Sequence, residues 1–76
     1  MRDLLDYLAR RLVDEPDAVR VEEVDEDGTL VLRLHVAPDD VGKVIGRQGR
    51  IARALRTLVR AGSAHEDRRI VLEIVD

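Results

Sequence analysis

Gly46-Arg47-Gln48-Gly49 encloses a cation and an amide between two glycines, and Lys43, Arg50, Arg53, Arg56 and Arg60 flank it. From Val41 to Ala61 there are six basic residues and no acidic one. Glycine lets a backbone turn tightly and approach a ligand with no Cβ in the way. A helix that starts just after Gly49 directs its first amides outward without partners, and its dipole favours an anion there. Arg47 and Lys43 add whole charges, and Gln48 can donate hydrogen bonds. The chemistry is that of a phosphate clamp. GxxG alone is weak, because many helix junctions contain it. Combined with two flanking helices and segregated charge, it is strong.

Other chemistries find less support. A nucleotide hydrolase needs a GxxxxGK[ST] loop or a base beside the phosphates. That motif is absent here, and no acid, serine or histidine adjoins the loop. Asp39 and Asp40 read as helix-start residues, so the chain reads as a binding protein and not an enzyme. There is no cysteine, and His35 and His65 fall in separate segments. Zinc wants three or four clustered ligands, so neither a metal nor another cofactor is expected. The lack of cysteine fits a reducing compartment. No apolar run approaches the roughly 20 residues that span a bilayer, and "MRDLLDYLARRL" is amphipathic, unlike a signal peptide. The expected location is the cytoplasm. Tyr7 is the only aromatic residue, which argues against a site built on stacking platforms.

The elements that must position the loop follow from periodicity. Seventy-six residues make one domain, residues 1 to 76, with a thin core that buries about 60% of the unfolded surface. Leu4, Leu5, Leu8, Ala9, Leu12 and Val13 recur at three- and four-residue spacings and predict a helix over 2–14, stopped by Pro16. "AVRVEEV", 18–24, reads as a strand and "DEDG", 25–28, as a turn. In "TLVLRLHV", 29–36, Leu30, Leu32, Leu34 and Val36 face one way, while Val31, Arg33 and His35 face the other. Pro38 opens a short helix carrying Val41, Val44 and Ile45, which Gly46 ends. A second helix runs from Arg50 to Ala61, closed by Gly62, and "RIVLEIV", 69–75, is the last strand. The class is α+β, in the order α-β-β-α-α-β.

Charge follows the same divisions. Residues 1–40 hold twelve acids and five bases, residues 41–61 six bases alone, and residues 62–76 four acids and two bases. A net charge of -3 therefore hides a strongly polarised molecule. Projected at 100° per residue, Ile51, Leu55, Leu58 and Val59 gather within about 100° of arc. Arg50, Arg53, Arg56 and Arg60 gather within about 120° on the opposite side. A soluble face normally mixes signs. Four arginines with no acids among them call for an anionic ligand. Arg60, about three turns beyond the loop, is expected to contribute less than Arg47.

"VGKVIGRQGRIARALRTLV", 41–59, resembles the signature of KH (K-homology) RNA-binding domains: an apolar pair, Val44 and Ile45, then the GxxG loop, between two helices of a β-α-α-β unit. That unit spans about 29–75, and a helix and strand precede it, which is the type II arrangement, with a three-stranded sheet and helices packed on one face. The resemblance covers essentially the whole chain and extends to the small stand-alone bacterial KH proteins of the KhpA family. It implies that Gly46, Arg47, Gln48 and Gly49 grip the backbone of about four single-stranded nucleotides, with Lys43, Arg50 and Arg53 beside them. It further implies that bases lie in an apolar groove lined by Val44, Ile45 and Leu34. Ala52 stands where the commonest KH pattern has isoleucine, and Ile51 precedes it, so no base preference carries over. KhpA-like proteins are associated with self-pairing and with a larger KH-containing partner of the Jag/KhpB type.

The sequence therefore reads as a binder of single-stranded RNA with low sequence specificity, an RNA chaperone or post-transcriptional regulator. The alternative is an interaction or dimerisation module whose basic helix meets an acidic partner. Salt dependence tests the phosphate clamp. With Arg47 and two or three of Lys43, Arg50 and Arg53 on phosphates, log affinity for a short single-stranded RNA falls against log salt with a slope of roughly -2 to -3, at about -0.7 per contact. A salt-indifferent affinity in a filter-binding titration would sink the clamp.

Overall fold

Helix α1 (Arg2–Leu12) turns Leu5 and Ala9, one turn apart, completely into the interior. What they meet is one face of a three-stranded sheet: β1 (Arg20–Glu26), β2 (Thr29–His35) and β3 (Ile70–Val75). The computed structural model describes residues 1–63 and 68–75, so His65 lies outside the described residues. Central strand β2 runs antiparallel to β1 and parallel to β3. Parallel neighbours need a crossover, and helices α2 (Val41–Ile45) and α3 (Arg50–Gly62) supply it. The order is α-β-β-α-α-β as expected, with short 3₁₀ turns at Pro16–Ala18, Pro38–Asp40 and Arg47–Gly49. No helix among the described residues is long and apolar enough to cross a membrane.

Alternation in β2 divides the two faces of the sheet. Leu32 and Leu34 join Val21, Ile70 and Leu72 beneath Leu5, Ala9, Val44, Leu55 and Val59, forming one apolar core on the helix side. On the other face Val31 lies between Val24 and Val71, and these neighbours bury it without any helix. One row along, Arg33 lies between Glu22 and Glu73. Its guanidinium reaches Glu26 at 3.2 Å and Glu73 at 3.4 Å. His35 meets Glu22 at 3.1 Å. That hydrogen bond is the main reason the Glu22 carboxyl is held below the usual range. The outer face thus combines a row of valines with a paired row of charged residues, while the helix side is wholly apolar.

Two elements, α1 and β1, differ from the periodicity by two residues, each for a local reason. Helix α1 stops at Leu12, and Val13 is extended (φ -103°, ψ 164°). The Arg10 guanidinium ties off this chain reversal, donating to the Pro16 carbonyl at 2.8 Å and the Val19 carbonyl at 3.2 Å while pairing with Asp6 at 2.9 Å. Strand β1 begins and ends two residues later than the alternation suggests. The hairpin turn is only Asp27-Gly28, both at positive φ (54° and 86°). Such a two-residue turn matches the twist of the strands it joins. Asp25 therefore pairs in the ladder with Leu30 while its carboxylate accepts from the Gly28 amide.

Candidate nucleic-acid interface

Gly46 ends α2 with φ 76° and ψ 174°, a region essentially reserved for glycine. A Cβ there would lie 2.8 Å from Ile51 Cγ1, so the first residues of α3 pack directly under this corner. The Gly46 amide donates to Gly42 at 2.8 Å, and the Gly49 amide donates to Gly46 at 3.1 Å. Gln48 (φ 57°, ψ 24°) and Gly49 (φ 74°, ψ 16°) are both left-handed, and Arg50 (φ -63°, ψ -41°) returns to helix. The Arg50 amide donates to the Arg47 carbonyl, so the Gly49 and Arg50 amides are both engaged within the loop. No side chain caps the start of α3. Arg47 and Gln48 stand exposed at the tip.

The cations near the loop fall into three groups. Among the described residues, no carboxylate lies within 4.0 Å of Arg47, Arg50, Arg53, Arg56 or Arg60. Arg53 also donates to the Gln48 carbonyl at 3.3 Å, bracing the loop from α3. Lys43 is different. Its Nζ is 2.9 Å from Asp14 and 3.7 Å from Asp40. The Asp14 hydrogen bond, followed by its charge, raises the ammonium above the ordinary lysine value.

The expected apolar groove is the part that changes. Val44 and Leu34 are 0% exposed, so they belong to the core and offer no surface to a base. Ile45 remains available at 37%. The open cleft lies instead between α3 and β3, with a volume of about 340 Å³. Arg56, Arg60 and Arg69 border it together with the apolar Val59, Ile70 and Leu72. Arg60, the far end of the arginine face on the helical projection, thus gains a neighbour from the last strand's approach. Arg69 was not singled out in the sequence, and its only signal there was a second arginine in "DRRIV". A second hollow of about 430 Å³, almost wholly apolar, lies between α1 and α3 along Tyr7, Leu8, Ile51 and Ala54. Arg11 stands over the Tyr7 ring at 5.8 Å.

The two loop glycines are unequal, and their substitution should show it. Gly46→Ala meets both the glycine-only backbone region and the Ile51 side chain, and should cost about 2 kcal/mol or more. Gly49→Asn has open space around it and a left-handed geometry that asparagine accepts, so about 1 kcal/mol or less is expected. Urea denaturation of the two variants checks this order; equal losses would contradict it.

Known proteins place this arrangement. The family model described as "KhpA/KhpB, KH domain" matches residues 2–74. The RNA-binding protein KhpA of Clostridium acetobutylicum is 51% identical over 75 residues, covering 99% of this chain and all of that protein. Its namesake from Halalkalibacterium halodurans is 50% identical over 76 residues and matches both chains from end to end. The Aquifex aeolicus protein of that name is 47% identical, covering all of this chain and 96% of its own. Identity at this level and over this length leaves no part of the fold unaccounted for, and the chain belongs to the KhpA/KhpB family of KH-domain proteins.

Proposed function

We propose that the chain binds single-stranded RNA with low sequence specificity, holding the phosphate backbone at Gly46–Gly49, and that it acts in the cytoplasm as an RNA chaperone or post-transcriptional regulator. One observation carries the reading. An uncapped helix start and two consecutive left-handed residues sit beneath exposed arginines that have no carboxylate neighbours among the described residues. Phosphate is the ligand whose charge and acceptors suit that geometry. Arg47, Arg50 and Arg53 are its first contacts, and Gln48 adds a neutral donor. From there the strand follows α3 toward the cleft bordered by Arg56, Arg60 and Arg69. Low specificity follows, because phosphate contacts position a strand without reading it. The names of the KhpA relatives, RNA-binding proteins all, support the same substrate.

A second reading rests on the apolar hollow between α1 and α3, beside which Leu4 and Tyr7 are exposed. Self-pairing, or pairing with a larger KH-containing protein of the Jag/KhpB type, would use this side of α3. Arg50 borders this hollow as well as the loop, while Arg47, Arg53 and the cleft with β3 lie outside it. Gel filtration beside an RNA titration separates the two activities.

The loop is tested by replacing Arg47 and Gln48 together with Asp. Both positions are exposed, and such surface changes alter stability by about 0.5 kcal/mol or less. Two carboxylates would then stand where phosphate oxygens belong. Binding should fall at least tenfold, about 1.4 kcal/mol, with the melting midpoint near that of the parent. Arg20→Asp, on β1, is the control for charge. Parent-like binding by the double variant would reduce the loop to a connector between helices.

Strand form gives an independent check. A cleft that admits unstacked bases cannot take a closed A-form duplex, so single-stranded RNA should outcompete a duplex of equal length in matched buffer. Equal affinities would mean attraction by the arginine face alone.

A further inference from the structure

Lys43 is the one cation near the loop that acids already hold among the described residues. It lies on α2 three residues before Gly46, where a lysine stem can reach a strand lying on the loop. Its ammonium is instead 2.9 Å from Asp14 Oδ2, and Asp40 Oδ1 stands farther off at 3.7 Å. Asp14 comes from the link between α1 and β1, 29 residues away in sequence, which is neither helix nor strand at that point. A buried group sets its position. Asp40, 2% exposed, is the only charged residue in the core among the described residues, and its Oδ2 accepts the Glu15 amide at 3.0 Å. The peptide next to Asp14 is thereby pinned against the start of α2.

We propose that Asp14 is an internal competitor for RNA phosphate: it occupies Lys43 in the free protein and yields it when a strand enters the loop. The inference rests on the RNA-binding reading of the loop. The pair is built for exchange. Asp14 and Lys43 side chains are 76% and 43% exposed, and exposed ion pairs are weak. Lysine carries three donors on a flexible stem and can swing from carboxylate to phosphate. Asp40 cannot follow, because its other oxygen is committed to the Glu15 amide. Lys43 therefore enters the complex by trading one anion for another. On reaching a phosphate it still displaces a cation condensed on the RNA, so the trade lowers its contribution to affinity and not its contribution to the salt dependence. Asp14 sets affinity without touching RNA.

A double-mutant cycle tests this with a short oligouridylate as the probe. Asp14→Asn keeps size and removes the charge. It should tighten binding roughly twofold to fivefold, the scale of an exposed ion pair, and change the salt slope by much less than the about 0.7 of one phosphate contact, because the cations released are those condensed on the RNA. Lys43→Gln should weaken binding, and in that background Asp14→Asn should change neither affinity nor slope. Equal tightening by Asp14→Asn in both backgrounds would overturn the proposal, since the effect would then be net charge acting at a distance. Unchanged affinity on Asp14→Asn in the otherwise native chain would overturn it as well, while leaving the loop's role intact. A parent chain that fails to bind the probe overturns both this proposal and the RNA reading beneath it.

Discussion

The contact between the Gly46 backbone and the Ile51 side chain governs the rest of the site. Because no Cβ intervenes, α2 can end after five residues and α3 can start four residues later, directly beneath the corner. Ile51 lies half-buried there, one residue before the buried Ala52. That placement settles which way α3 faces. Ala52, Leu55 and Val59 turn to the sheet, so the arginines must turn outward. A larger residue at position 46 would tilt α3 and carry the loop amides, the arginine face and the cleft with β3 away together. The glycine is a packing requirement as much as a conformational one.

Electrostatics is organised around this geometry by exclusion. Carboxylates are plentiful, yet those with partners are spent elsewhere. Glu22 bonds His35, and Glu26 and Glu73 pair with Arg33 on the outer sheet face; Asp6 holds Arg10, and Asp25 holds Arg68 at 2.8 Å. Within the described residues only Lys43 bridges the acidic and basic halves of the loop region. The arginines of α3 keep an unbalanced field, which draws a polyanion and focuses it on one edge of the molecule. An acidic protein can therefore carry a basic working surface.

Most of the fold could be read from the residues. Clean alternation in Thr29–Val36 identified the central strand and both of its faces, and the spacing of Ile51, Leu55 and Val59 identified the buried side of α3. The glycines at 46 and 49 located the loop because so few other residues accept those angles. What escaped was long-range. The Val44-Ile45 pair is adjacent in sequence, yet one side chain is core and the other surface, and only the packing of α2 on α3 decides which. Arg69 joins Arg56 and Arg60 through the return of β3, which no local pattern encodes. The partner of Lys43 is set by a buried carboxylate's bond to a backbone amide 25 residues distant. The limits of β1 depended on a two-residue turn in which Asp27, a non-glycine residue, takes positive φ.

The parallel pairing of β2 with β3 has a consequence for how the chain reaches this state. Leu30 pairs with Ile70 and Leu34 with Ile74, so the sheet closes across more than half of the sequence. The α1-β1-β2 segment is joined by a tight hairpin and can assemble early. The β3 contacts are non-local and slow to form, because closure entropy must be overcome before they contribute. Until then Leu32 and Leu34 lack Leu72 and its neighbours, and α3 has no strand to lie against. On a ribosome, which releases the N-terminal part first, the GxxG corner would be among the earlier turns to form but the last to be held rigid. The GxxG corner and the arginine face of α3 would be fixed in place in one cooperative step, when β3 docks.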